Sequence, residues 1–138
     1  MSAVFLDTSY FIGLIHRQDR YHGRSLKLRE ELEVNHRALI TTDAHLAEFL
    51  TYFAGRGSFL RQTAAGLTRA IKESEAIEVA LIDDVLFDAA LRLYERRLDK
   101  EYSMIDCVAM VLCEQGNIRE VASADHEFEQ EGMTILLG

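Results

Sequence analysis

The chain has 138 residues, two cysteines, no proline and a formal net charge of −8, which suits one domain, 1–138, burying roughly two-thirds of its unfolded surface. No run of ~18 apolar residues offers a membrane span and the amino terminus lacks the basic-then-apolar pattern of a secretory leader, so a soluble cytoplasmic protein is expected. The negative charge argues against a protein that holds nucleic acid by net attraction alone.

The first element is the apolar run Ala3 to Leu6, ending in Asp7, Thr8 and Ser9. An apolar run without alternation reads as a strand buried on both faces, 3–7, and places Asp7 at its carboxyl end, where open α/β sheets bind ligands. Asp, Thr and Ser are also ordinary N-caps for the helix expected over 8–15. A second helix is read over 20–34. Residues 16–29 hold Arg17, Arg20, Arg24, Lys27 and Arg29 against one acid, Asp19.

A strand over 38–41 and helices over 43–55 and 58–75 follow. Within "DAHLAEFLTYF", Glu48 lies beside Ala44, His45, Thr51 and Tyr52 rather than on the apolar face of Leu46, Phe49, Leu50 and Phe53. A surface glutamate is the ordinary reading; His45 and Glu48 could ligate a metal at i, i+3, but no second His–Glu pair supports it. Residues 49–72 carry Arg56, Arg61, Arg69 and Lys72 and no acid. Such runs are commonly solvated helix faces.

A strand over 77–82 precedes a helix over 84–98, with Leu86, Ala89, Ala90 and Leu93 on one face. The next helix, 103–115, opens "SMIDCVAMVLC", where Asp106 is the one charge in an apolar stretch. A capping box from Ser103 to Asp106 explains the position; it does not explain the apolar surroundings, because a carboxylate taken out of water costs several kcal/mol without a partner. Cys107 and Cys113 are ~9 Å apart along that helix, too far for a disulfide, and are expected as buried thiols. A strand over 120–123 leads to Asp125, again just past a strand end, then a helical turn and a last strand over 133–136. His126 reads as an exposed loop residue. The alternation of strand and helix implies an α/β fold with a mainly parallel sheet covered by helices on both faces.

Asp7, Glu48, Asp106 and Asp125 each have a structural explanation. Jointly they fall at strand ends or near helix starts that can flank one sheet edge. If they converge, two carboxylates ~4 Å apart repel by about 4 kcal/mol at an effective dielectric of 20, so the cluster needs cations. All-oxygen ligands suit Mg²⁺ or Mn²⁺.

These residues carry a resemblance. "VFLDTSYFIGL", "ITTDAHLAEFLTY", "YSMIDCVAMVLCEQGNI" and "EVASADHEF" stand in the order and spacing of the PIN domain, and the chain resembles VapC-like ribonuclease toxins of toxin–antitoxin pairs from Val4 to about Leu137. The resemblance implies a PIN-like parallel sheet of about five strands between helices. It puts the family's four acids on Asp7, Glu48, Asp106 and Asp125, with Thr8 and Ser9 after the first and Ser103 before the third. Ser123 stands where threonine is more usual, and Cys107 where alanine is common, a change that could disturb packing around Asp106. The resemblance further implies metal-dependent RNA cleavage, a cognate antitoxin and a homodimer.

On that basis Asp7, Asp106 and Asp125 hold one or two Mg²⁺ or Mn²⁺ ions, with Glu48 completing the ring, and Ser9 and Ser103 orient carboxylates or water. Arg17, Arg20, Arg56 and Arg61 are the candidate RNA contacts. The alternative is a catalytically inactive PIN-like module that binds RNA or a protein. Phosphoryl transfer through Asp7 in the manner of haloacid dehalogenase-like phosphatases needs a second acid where the chain has Ser9, and a receiver-like phosphoacceptor lacks its acidic pair and late lysine.

Overall fold

The computed structural model describes residues 2–138. In chain order the elements are β1 (Val4–Leu6), α1 (Thr8–Ile15), α2 (His22–Val34), β2 (Leu39–Thr42), α3 (Asp43–Phe53), α4 (Ser58–Glu73), β3 (Ile77–Ala80), α5 (Asp84–Arg96), α6 (Met104–Gln115), β4 (Glu120–Ala122), a 3-10 helix (His126–Glu131) and β5 (Thr134–Ile135). The strands form one sheet in the order β3-β2-β1-β4-β5. Every pairing is parallel, with Val4 in register with both Leu39 and Glu120.

The sheet has a core on each face. All three residues of β1 are buried. Val4 and Leu6 point into one core with Tyr10, Phe11, Leu28, Phe49, Phe53 and Ile71, so α1 to α4 cover that face. Phe5 points the other way, against Leu93, Val108, Met110, Val121 and Phe128 under α5, α6 and the 3-10 helix. Burial on both sides is why this strand reads as an unbroken apolar run.

The chain builds outward from β1 to β2 and β3, then returns to β1's other side for β4 and β5. The order reverses between β1 and β4, so their carboxyl ends diverge into loops that leave a crevice, the usual ligand position in such sheets. Asp7 follows β1 and Asp125 follows β4. Both therefore stand at this switch point.

Predicted elements are all present, with trimmed ends. The helix expected from residue 20 starts at His22 because the Asp19 carboxylate accepts from the Tyr21 backbone N–H and holds a turn. The helix expected to reach 98 stops at Arg96, and Arg97 turns aside to pair with Glu131 at 3.0 Å. Of the strand expected over 77–82, only Ile77–Ala80 pairs, as a partly exposed sheet edge. Both cysteines are buried free thiols.

Candidate functional site

Asp7 occupies the N-cap position of α1 in extended backbone, yet its side chain makes no cap hydrogen bond. It is instead held from the β4 side. Its Oδ2 accepts from Ser123 Oγ at 2.7 Å and, more weakly, from Ser9 Oγ at 3.4 Å. At 8% exposure, burial above all pushes its pKa up to about 7; the hydrogen bonds from Ser123 and Thr8 oppose the shift, while the charges of Asp106 and Glu48 add to it.

Asp106 is placed by the predicted capping box. Ser103 Oγ accepts from the Asp106 N–H and Asp106 Oδ2 accepts from the Ser103 N–H, both at 3.0 Å. Its carboxyl is raised, first by burial and then by the negative charges of Asp125 and Glu48, against the Ser103 hydrogen bonds. Asp125 caps the 3-10 helix, its Oδ1 accepting from the Glu127 N–H at 2.9 Å. Capping and service in a cleft are therefore compatible at both positions. Glu48 lies exposed on α3, close enough to raise both Asp7 and Asp106.

Glu127 joins them. Asp106, Asp125 and Glu127 each present a carboxylate oxygen within 4.8 Å of the others. Burial raises Glu127, and Asp125 and Asp106 raise it further. Sequence reasoning passed over this residue, although "ADHEFE" held a usable signal, since a tight turn after Asp125 brings the side chain two positions on back beside it. The donor set is entirely oxygen and the carboxyls resist joint ionisation, so these residues fit a hard divalent cation that relieves their repulsion.

The supporting residues act through distinct contacts. Thr8 does not assist Asp7 with its hydroxyl, which donates to the His45 carbonyl at 3.3 Å and ties α1 to α3. Ser103 reaches the Asp106 carboxylate through its backbone N–H, not its hydroxyl, because the hydroxyl is consumed as the helix cap. Ser9 and Ser123 both donate to Asp7, Ser123 at the shorter distance, since β4 runs beside β1 and sets the Ser123 and Asp7 side chains together. Cys107 is fully buried in the α5–α6 core, where burial lifts its thiol to about 11.

Arg17 and Arg20 are exposed in the α1–α2 connection, Arg20 lying 5.0 Å from the Tyr21 ring centroid. Arg56 sits 4.0 Å over the Tyr52 ring and donates to the Tyr52 carbonyl, and Arg61 donates to the Ala54 carbonyl at 2.8 Å. These two satisfy carbonyls left over at the end of α3, a local role independent of any RNA.

His45 is fully buried on α3 behind Asp7. Its Nδ1 lies 2.6 Å from Thr42 Oγ1, its Nε2 lies 3.6 Å from Asp7 Oδ1, and its ring stands edge-on to Phe5. Burial lowers its pKa to about 4, so the ring is neutral.

Residues 4–131 match the PIN domain family. No curated protein sequence is significantly similar to the chain. Among solved structures, VapC20 of Mycobacterium tuberculosis, a toxin that cleaves the sarcin–ricin loop, superimposes with a TM-score of 0.81 over 96% of this chain and 97% of that chain, at 22% identity. That likeness is one of fold.

Proposed function

The chain belongs to the PIN domain family, and we infer that it is a metal-dependent endoribonuclease hydrolysing RNA phosphodiester bonds, the VapC-like toxin of a type II toxin–antitoxin pair working in the cytoplasm. The observation that carries this reading is the group of carboxylates at the β1–β4 switch point: Asp106, Asp125 and Glu127 within 4.8 Å, with Asp7 and Glu48 near enough to perturb the same charges. An inactive PIN-like module has no use for so many mutually repelling acids.

In this reading Asp7, Asp106 and Asp125, joined by Glu127, hold one or two Mg²⁺ or Mn²⁺ ions, with Glu48 at the open side of the cluster. Bound there, a divalent ion supplies Lewis-acid activation of water and offsets charge developing on the attacked phosphate. The protein's part is to fix the carboxylates. Ser123 and Ser9 orient Asp7, the α6 capping box orients Asp106, and the 3-10 helix start orients Asp125. Arg17 and Arg20, exposed on one connection, and Arg56 and Arg61, at the end of α3, are the cations offered to RNA phosphates.

A homodimer is also part of the reading. Phe87, Leu91 and Tyr94 on α5 and Leu98 just beyond it are all exposed and follow one helical stripe. Antiparallel pairing with a second copy would cover the stripe, as a two-fold interface requires.

The test is cleavage of ribosomal RNA and of an isolated sarcin–ricin loop oligonucleotide with Mn²⁺, by wild type and Asp7→Asn. Site-specific cutting by wild type alone, abolished by EDTA, is expected. Equal cutting by Asp7→Asn, or cutting that survives EDTA, would remove this site from the reaction.

A further inference from the structure

The switch-point site contains one buried polar atom without a partner. Among the described residues only three side-chain atoms are buried and unbonded, and one is His45 Nε2, 3.6 Å from Asp7 Oδ1. An N–H left unpaired in a protein interior costs about 1–3 kcal/mol, so its placement beside a carboxylate oxygen calls for an account.

The hydrogen-bond arithmetic around Thr42 decides which ring nitrogen carries the proton. Thr42 Oγ1 accepts from the His45 backbone N–H at 3.1 Å as the N-cap of α3, and so has one hydroxyl proton left to give. His45 Nδ1, at 2.6 Å, is its only other partner. The hydroxyl therefore donates to Nδ1, which leaves the proton of a neutral ring on Nε2. That N–H faces Asp7 Oδ1. Ser123 meanwhile holds the other oxygen, Oδ2, at 2.7 Å.

We propose that His45 is a positioning residue for Asp7: Thr42 sets its tautomer, and its Nε2–H fixes one carboxylate oxygen while Ser123 fixes the other, so that Asp7 meets a divalent cation in a single orientation. At 3.6 Å the pair lies beyond hydrogen-bond length, so the ring acts on Oδ1 as a charge–dipole contact rather than as a formed bond. The role rests on the metal-site reading above and assigns His45 no contact with ion or RNA. It also explains why a histidine occupies a fully buried place against Phe5 that an aliphatic or aromatic residue would fill without leaving a polar atom behind.

Two measurements test it. Nitrogen-15 NMR of metal-free protein should find His45 neutral and protonated on Nε2 at pH 7, with that proton's resonance displaced in Asp7→Asn. A proton on Nδ1, or a resonance indifferent to Asp7→Asn, would overturn the proposal. Calorimetric Mn²⁺ titration should then show affinity roughly 10-fold weaker in His45→Phe, which keeps a ring against Phe5 but lacks the donor, and largely recovered in His45→Gln, which restores an amide N–H. Unchanged affinity in a folded His45→Phe would reduce His45 to packing. If wild type itself takes up no Mn²⁺, the metal-site reading fails, and the NMR pair still decides whether His45 holds Asp7.

Discussion

Asp7 titrates far above an ordinary aspartate because the fold removes it from water and sets other acids around it. The sign of the consequence is opposite to that of a salt-bridged carboxylate. A folded-state pKa raised to about 7 from 3.8 means that the group's contribution to stability is fully present below about pH 4 and is lost as pH rises through 7. Metal-free Asp7→Asn should therefore be more stable than metal-free wild type at pH 8, by about 2–4 kcal/mol, with the advantage vanishing toward pH 4. His45, lowered to about 4, slopes the other way between pH 6.5 and 4 in both proteins, so the difference between their denaturation midpoints is the quantity to follow. A difference independent of pH would mean that Asp7 is not buried as described.

Glu127 gives the second prediction at this scale. If it belongs to the cluster, Glu127→Gln should weaken Mn²⁺ binding and RNA cleavage by roughly 10- to 100-fold, the loss typical of an oriented site group. The exposed neighbour Glu129 provides a control, since Glu129→Gln should change neither. Asp7, Asp106 and Asp125 are legible in the sequence because each stands at an element boundary beside an apolar run, whereas Glu48, in the middle of α3 on its polar stripe, is legible only through the family resemblance. Glu127 is not, because alternating acids from Glu127 to Glu131 look like any solvated tail. His45 is visible only as a weak metal candidate; the sequence holds no sign that α3 turns it inward behind Asp7.

At the scale of elements, apolar runs and helical periodicity were enough to read every strand and helix. What they could not supply was the sheet order, since β1 must be flanked by β2 and β4 for Ser123 to reach Asp7, and short parallel strands carry no register signal of their own. The packing of α1 on α2 was likewise hidden. It depends on Gly13, where an added Cβ would fall 2.2 Å from Ser25 Oγ and 3.2 Å from the Tyr21 carbonyl. Gly13→Ala should destabilise the protein by about 1–3 kcal/mol through this overpacking, measured as a lower urea midpoint. The paired variant Gly13→Ala with Ser25→Gly should recover part of the loss if the clash is the cause.

The whole molecule reconciles a net charge of −8 with an anionic substrate by segregation. Asp106, Asp125 and Glu127 meet beside the β1–β4 switch point, with Asp7 and Glu48 close enough to raise or be raised by their charges, and two divalent ions there would bring the formal charge to about −4, while the arginines of the α1–α2 connection and the α3 end stay exposed. The apolar stripe on α5 belongs to this scale as well. Leu91→Glu should shift the protein from dimer to monomer in light scattering without changing its fold, and a wild type that is monomeric at working concentration would dismiss the α5 interface.

The convergence of the acids on a cation is reached most directly by Mn²⁺ anomalous diffraction from crystals of the protein. A peak enclosed by Asp7, Asp106, Asp125 and Glu127 is the predicted result. Full-occupancy Mn²⁺ elsewhere with nothing at the β1–β4 switch point would contradict it.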